Sequence, residues 1–261
     1  MNAVIIIPAR MAATRFPNKP LTKIAGISMI AHCYLRASLS KKAKAVYVAT
    51  CDTEIADEIH QLGGKVIMTG FHHERASDRT AEALLKLKNK TDVIVMLQGD
   101  EPLINPNDVD MLISQHEKYP NVAVFNLTQY ISSNADFQNI NTVKLITNLH
   151  GDILAFSRES IPCAHLKGFQ EFKPQKQLGV ISFQKQALID FSQLPQTPVE
   201  KIESIDMMRF LEHGYSIKAV LTDSVMQGVD TPGDAQKVEL HMLQDALYQR
   251  YKKSEIFSEQ I

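Results

Sequence analysis

The chain has 261 residues, 44% of them hydrophobic and 22% charged, with 28 basic against 29 acidic side chains and a net charge of -1. A chain of this length and apolar content buries a core and is not intrinsically disordered. A balanced surface excludes wholesale binding to nucleic acid or an anionic membrane, so any anionic partner has to meet a local cluster of cations.

The first apolar run, Ala3 to Ile7, is preceded only by Met1 and Asn2. It lacks the basic leader and length of a secretory signal and falls short of the ~20 apolar residues of a membrane span, so a cytoplasmic protein with no membrane partner is expected. Cys33, Cys51 and Cys163 are odd in number and widely spaced, and read as reduced thiols, not as a disulfide frame or a zinc site.

In chain order, Val4-Ile7, Ala45-Ala49, Lys65-Met68 and Val93-Leu97 are short, continuous, β-branched runs of the kind that form buried strands. Between them, Met29 to Leu39, Asp52 to Leu62 and Asp78 to Leu87 carry apolar residues at helical spacing. This alternation predicts an α/β fold with a parallel sheet, whose ligands bind beyond the carboxyl ends of the strands. After about residue 120 the pattern changes. Asn121-Leu127, Thr142-Thr147, Ile153-Phe156 and Leu178-Phe183 predict a mixed or antiparallel extension, with a polar, mobile surface loop between Pro162 and Gln177. A helix from Glu203 to His213, a strand from Tyr215 to Val220 and a long helix from Gly233 to about Tyr251 close the chain.

Two loops at the expected ligand edge, and one segment near the far end of the chain, are the candidates for chemistry. After the first strand, Ala9, Ala12 and Ala13 allow close backbone approach beside the cations Arg10, Arg15 and Lys19, a combination that grips polyphosphate or is simply a solvated basic loop. After the fourth, Gln98-Gly99-Asp100-Glu101-Pro102 offers an aspartate for Mg²⁺, or an ordinary turn. Near the far end, Asp230 precedes Thr231-Pro232, itself a normal helix start. Neither a Walker loop nor a G-x-G-x-x-G follows the first strand, which argues against a dehydrogenase.

These segments, in this order, resemble the nucleotide-sugar cytidylyltransferases and most closely the 3-deoxy-manno-octulosonate cytidylyltransferase (CMP-Kdo synthetase) family. The resemblance runs from residue 3 to about 240. It is carried by Ile7-Pro8-Ala9-Arg10 with Thr14 to Leu21, Val48 to Asp52, Leu97 to Ile104, Val143-Lys144, Phe156-Ser157-Arg158, Gly179-Val180, Arg209 and Gly228 to Pro232. It implies a Rossmann-like three-layer nucleotidyltransferase fold in one domain over 1-251, with a tail at 252-261. Residues 120-220 are expected to shape the sugar-acid site and a homodimer surface.

By the same resemblance, CMP passes from CTP to the anomeric hydroxyl of a 2-keto-3-deoxy sugar acid, with Mg²⁺ as cofactor, and the product feeds lipopolysaccharide core synthesis. Arg10, Lys19 and Asp100 take the catalytic positions. Ala9, Arg10, Arg15, Lys19, Ser77, Arg79 and Gln98 fall at nucleotide-binding positions; Gln98, Arg158, Gln177, Asp206 and Arg209 at sugar-binding ones. Asp100 and Asp230 match the metal carboxylates.

The chain departs from the family's pattern in two places. His72-His73-Glu74-Arg75-Ala76 replaces a small-residue start before Ser77-Asp78-Arg79; a metal site at His72, His73 and Glu74 is not expected, because adjacent side chains of an extended loop point apart. On the sugar side Gln177, Ile181, Phe183, Asp206 and Met207 replace histidine, two tyrosines, glutamate and glutamine. Such exchanges alter discrimination between acceptors, which keeps open a modified acceptor such as 8-amino-3,8-dideoxy-manno-octulosonate. A catalytically silent nucleotide-binding homologue is the alternative of another class.

Overall fold

The computed structural model describes residues 1-11, 16-88, 90-163 and 172-252. Strand β1 (Ala3–Pro8) leads through a short 3-10 turn (Lys19–Leu21) to a hairpin of β2 (Lys23–Ile24) and β3 (Ile27–Ser28). There follow α1 (Met29–Ala37), β4 (Ala43–Thr50), α2 (Thr53–Gln61), β5 (Val66–Met68), α3 (Ala76–Lys86), β6 (Val93–Leu97), α4 (Pro106–Lys118) and β7 (Val124–Tyr130). The second half contains α5 (Asn134–Gln138), β8 (Lys144–Thr147), β9 (Ile153–Ser157), β10 (Gln175–Gln184), α6 (Lys185–Gln193), α7 (Pro198–Glu203) and α8 (Met207–Glu212). It closes with β11 (Ile217–Leu221), α9 (Pro232–Leu243) and α10 (Ala246–Lys252).

Nine of these strands form one sheet, ordered β11-β7-β10-β6-β1-β4-β5, with β8 beside β10 and β9 beside β8. β1 runs parallel to β4 and β6, and β4 to β5, as the alternating first half requires. β10 is antiparallel to β6, β7 and β8, so the expected mixed extension is present.

Both faces of the sheet are covered, which is why β1 reads as an unbroken apolar run. Ala3, Ile5 and Ile7 pack under α1, α2 and α4 with Ile30, Ile55 and Leu112. Val4 and Ile6 face the other way, toward Leu84, Leu188, Phe191 and Phe210 of α3, α6 and α8. A third cluster joins the β2-β3 hairpin and α1 to α9 and α10 through Ile24, Met29, Val238, Tyr248 and Tyr251.

Several expected elements are corrected. The helix expected over Glu203 to His213 is shorter, α8 alone from Met207 to Glu212, because Glu203 is the end of α7 and Ser204 adopts a left-handed conformation (φ 53°) that stops that helix. The long closing helix breaks after Leu243 into α9 and α10. β10 begins at Gln175, so the end of the supposed surface loop belongs to the sheet. Residues 164-171 of that loop, Arg15, and the tail from 253 lie outside the described residues. Helix α4, not anticipated, starts at Asn105-Pro106, where the Asn105 side chain accepts from Asn107 N-H.

Candidate active site

A cleft of about 1230 Å³ opens over the carboxyl ends of β1 and β6 and is walled by β10 and the segments before α8 and α9. The loop after β1 and the turn after β6 face each other across it. The ammonium of Lys19 donates to Asp100 Oδ2 at 2.9 Å and to Asp230 Oδ1 at 3.0 Å. Burial of Lys19 opposes its charge, but the two carboxylates outweigh it and lift its pKa above the ordinary lysine value.

Asp230 is held by helix α9. Thr231 and Asp234 form a reciprocal capping box, and Asp234 Oδ2 also accepts the Asp230 N-H at 3.3 Å. This ordinary helix start therefore positions Asp230 at the cleft.

Ala9 and Arg10 line the cleft near Lys19. Ala9 N-H donates to Ala49 O, and exposed Arg10 donates from Nη1 to His73 O at 3.3 Å. Gln98 lies against Gly179, where an added Cβ would come within 3.0 Å of Gln98 Cβ, so a side chain there would push Gln98 from the wall. Arg79, 2% exposed, donates to Thr69 Oγ1 and Gly70 O while its Nη2 has no partner, leaving a buried cationic donor at the cleft wall.

On the sugar side Arg158 lines the cleft, its guanidinium resting on the carbonyls of Glu203, Ile140 and Ser204. Gln177 faces the cleft and donates to Asn126 Oδ1 at 2.7 Å. Asp206 also faces it and accepts from Ser77 Oγ at 2.5 Å; burial pushes its carboxyl up, against the opposing effect of Ser77 and Arg75. Ser77 itself is fully buried and reaches the site only through Asp206, which revises its expected nucleotide contact.

Arg209 is corrected outright. It is 3% exposed and does not line the cleft; Glu200 accepts from its Nε at 2.9 Å and its Nη2 at 2.6 Å, and Asp78 from its Nη1 at 3.1 Å. Its guanidinium is consumed in an ion-pair network beneath the site. Ile181 and Met207, two of the altered sugar-side positions, are fully buried in the core under the sheet.

Two cleft residues carried no role in the sequence reading. Glu101 is 6% exposed, accepts the Gly179 N-H at 2.9 Å and leaves Oε2 unpartnered. Burial and the neighbouring Asp100 push its pKa up to about 7. Its signal was present, an acid directly after Asp100 at a strand end. Lys176 also lines the cleft. It was hidden in the segment read as a surface loop.

Cations and paired carboxylates at the carboxyl edge of a mostly parallel, helix-covered sheet define a nucleotidyltransferase of Rossmann-like fold. The comparison with known families narrows this: the chain belongs to the cytidylyltransferase family, whose model matches residues 4–218. A 3-deoxy-manno-octulosonate cytidylyltransferase of Trichlorobacter lovleyi is 39% identical over 257 residues, covering 94% of this chain and all of that protein. An 8-amino-3,8-dideoxy-manno-octulosonate cytidylyltransferase of Shewanella sediminis is 36% identical over 247 residues, covering 94% of this chain and 100% of its own. Among solved structures, a CMP:2-keto-3-deoxy-manno-octonic acid synthetase complexed with CTP superposes with a TM-score of 0.85 at 36% identity, covering 94% of this chain and 99% of that one.

Proposed function

We propose that this protein transfers CMP from CTP to the anomeric hydroxyl of 3-deoxy-manno-octulosonate (Kdo), releasing pyrophosphate and activating the sugar for lipopolysaccharide core synthesis. The observation that carries the reading is the Lys19 ammonium bridging Asp100 and Asp230 in the cleft, in a chain whose relatives bear that activity in their names.

Both reactants are anionic, so the residues present must neutralise charge and hold the sugar oxygen in line with the α-phosphorus. Arg10, Lys19 and Arg79 supply cationic donors to the triphosphate side. Arg158 faces the sugar acid, where a planar guanidinium suits a carboxylate. As the anomeric oxygen bonds to phosphorus, the bond from that phosphorus to the bridging oxygen breaks, the hydroxyl proton passes to solvent water, and pyrophosphate carries away the electron pair.

Asp100 and Asp230 already converge on one cationic nitrogen and are hard oxygen donors, so they fit Mg²⁺ completed by phosphate oxygens. Bound there, the metal supplies neutralisation of the charge that develops on the phosphates.

A second acceptor, the 8-amino analogue of Kdo, is favoured by Gln177 and Asp206, which stand on the cleft wall at altered positions. Exposed Ile140, Leu149, Leu154 and Ile202, all in the second half, support a homodimer, to be tested by light scattering. No described helix is long and apolar enough to cross a membrane. We place the protein in the cytoplasm, where CTP is available.

The test is pyrophosphate release with CTP and Mg²⁺, offering Kdo and its 8-amino analogue in parallel. Release with Kdo that Asp100→Ala abolishes supports the first reading, and release with the analogue alone the second. CTP binding with neither acceptor consumed would make the chain a nucleotide-binding homologue and overturn both.

A further inference from the structure

The turn after β5 and the helix α3 beside it bring together three side chains of metal-binding type for which the transfer reaction has no use. Residues 71-72 turn instead of extending, and the rings of His72 and His73 lie with centroids 4.2 Å apart. This removes the reason for dismissing a metal there, since adjacent side chains diverge only on extended backbone. The third group is not Glu74 but Glu82, from the second turn of α3. Its Oε2 accepts the Gly70 N-H at 2.9 Å and pairs with His73 Nε2.

One ligand atom from each of His72, His73 and Glu82 lies within 4.8 Å of the other two. Ligands about a tetrahedral Zn²⁺ stand roughly 3.4 Å apart, so the exposed His72 ring turns inward and the hydrogen-bonded His73–Glu82 pair opens to admit the ion. Gly70 makes the placement possible: a Cβ there would meet His72 Cε1 at 2.4 Å and Nδ1 at 2.6 Å. Lys86, the Gly70 N-H and His73 hold the Glu82 carboxylate facing the two imidazoles. Lys86 has a second anchor at Met68 O, 2.7 Å away, to which it can be left when Glu82 turns to a cation.

We propose that His72, His73 and Glu82 form a binding site for a borderline divalent cation of the Zn²⁺ class at the rim of the cleft, separate from Asp100 and Asp230. Two imidazoles and one carboxylate are a zinc donor set with a fourth position for water, whereas Mg²⁺ selects oxygens in an octahedron. Occupancy also fixes the main chain under Arg10, because the His73 carbonyl accepts from that guanidinium. The site depends on no assumption about the sugar acceptor.

The experiment is isothermal titration of the full chain with zinc sulfate, in excess Mg²⁺ so that Asp100 and Asp230 are engaged. One Zn²⁺ per chain is expected. His72→Ala and His73→Ala should each weaken it roughly a hundredfold or more, beyond the effect of losing an outer-shell partner. Gly70→Ala, which removes no ligand but displaces the His72 ring, should weaken it roughly tenfold or more. Asp100→Asn should leave it unchanged, and Co²⁺ in place of Zn²⁺ should give visible absorption of a tetrahedral site. His72 is exposed, so its replacement leaves the fold intact, as circular dichroism will show. No Zn²⁺ binding by the unaltered protein, or binding that survives His72→Ala and vanishes in Asp100→Asn, would overturn the proposal.

Discussion

The carboxylate of Asp52 accepts the backbone N-H of Met11 at 2.7 Å, although Asp52 stands at the N-cap of α2 and makes no side-chain bond to that helix. The loop after β1 is thereby moored next to Arg10. A charge-assisted hydrogen bond of this kind contributes about 1.5–3 kcal/mol. Asp52→Ala should therefore lower Tm by a few degrees and raise the KM for CTP roughly tenfold with little change in kcat. A fall in Tm with the KM unchanged would instead mark Asp52 as a purely structural residue.

Lys19 keeps two carboxylates apart from mutual repulsion. A lysine with a raised pKa gives stability that is complete below pH 10.5 and lost only as pH rises beyond it, so the bridge is intact at physiological pH. Lys19→Met should lower kcat by roughly a hundredfold or more. It should also lower Tm without divalent cations and make Tm rise more steeply with added Mg²⁺ than in the unaltered protein. Thermal scans across a Mg²⁺ series check both.

Glu101 gives the fold an alkaline weakness. Its pKa rises from 4.5 to about 7 on folding, so its contribution is full below pH 4.5 and is lost as pH climbs toward 7. The loss amounts to about 3 kcal/mol. Glu101→Gln should flatten the stability profile between those pH values and make the protein more stable at pH 8, as measured by urea unfolding in chelator.

Gln177 and Ile181 should behave oppositely. Gln177 faces the cleft and Ile181 is fully buried. Gln177→His should change the ratio of kcat/KM for Kdo over its 8-amino analogue by roughly tenfold or more, since a substrate hydroxyl or amine gains or loses its partner. Ile181→Val should cost roughly 1 kcal/mol of stability and leave that ratio alone. A ratio moved by Ile181→Val would contradict the burial argument.

Arg209 makes a third contrast. Replacing it by Met strands Glu200, fully buried, and Asp78. Breaking such a pair costs about 3–5 kcal/mol, a fall in Tm of roughly 10 °C, with KM for the sugar unchanged.

How far the sequence could be read follows from which interactions are local. β1, β4 and β6 were legible because strands covered on both faces are uniformly apolar, and their ends pointed to Lys19 and Asp100. The stop at Ser204 was not, since a left-handed residue other than glycine carries no pattern. Helix α4 carries a local signature, Asn105-Pro106 followed by Val109, Leu112, Ile113 and His116. Arg209 matches a family position and Ile181 stands at an altered one, but sheet register and ion pairing decide which way a side chain faces, and both are long-range. The His72-His73 turn was likewise invisible to an argument that assumed extended backbone.

Lys19 meets partners 81 and 211 residues farther along the chain. Such separations make the charged bridge among the last contacts a folding chain can close, since distant segments must first find their places. Recovery of activity after dilution from denaturant is then a clock for the final docking of α9, and it should lag the return of helical signal from the first half.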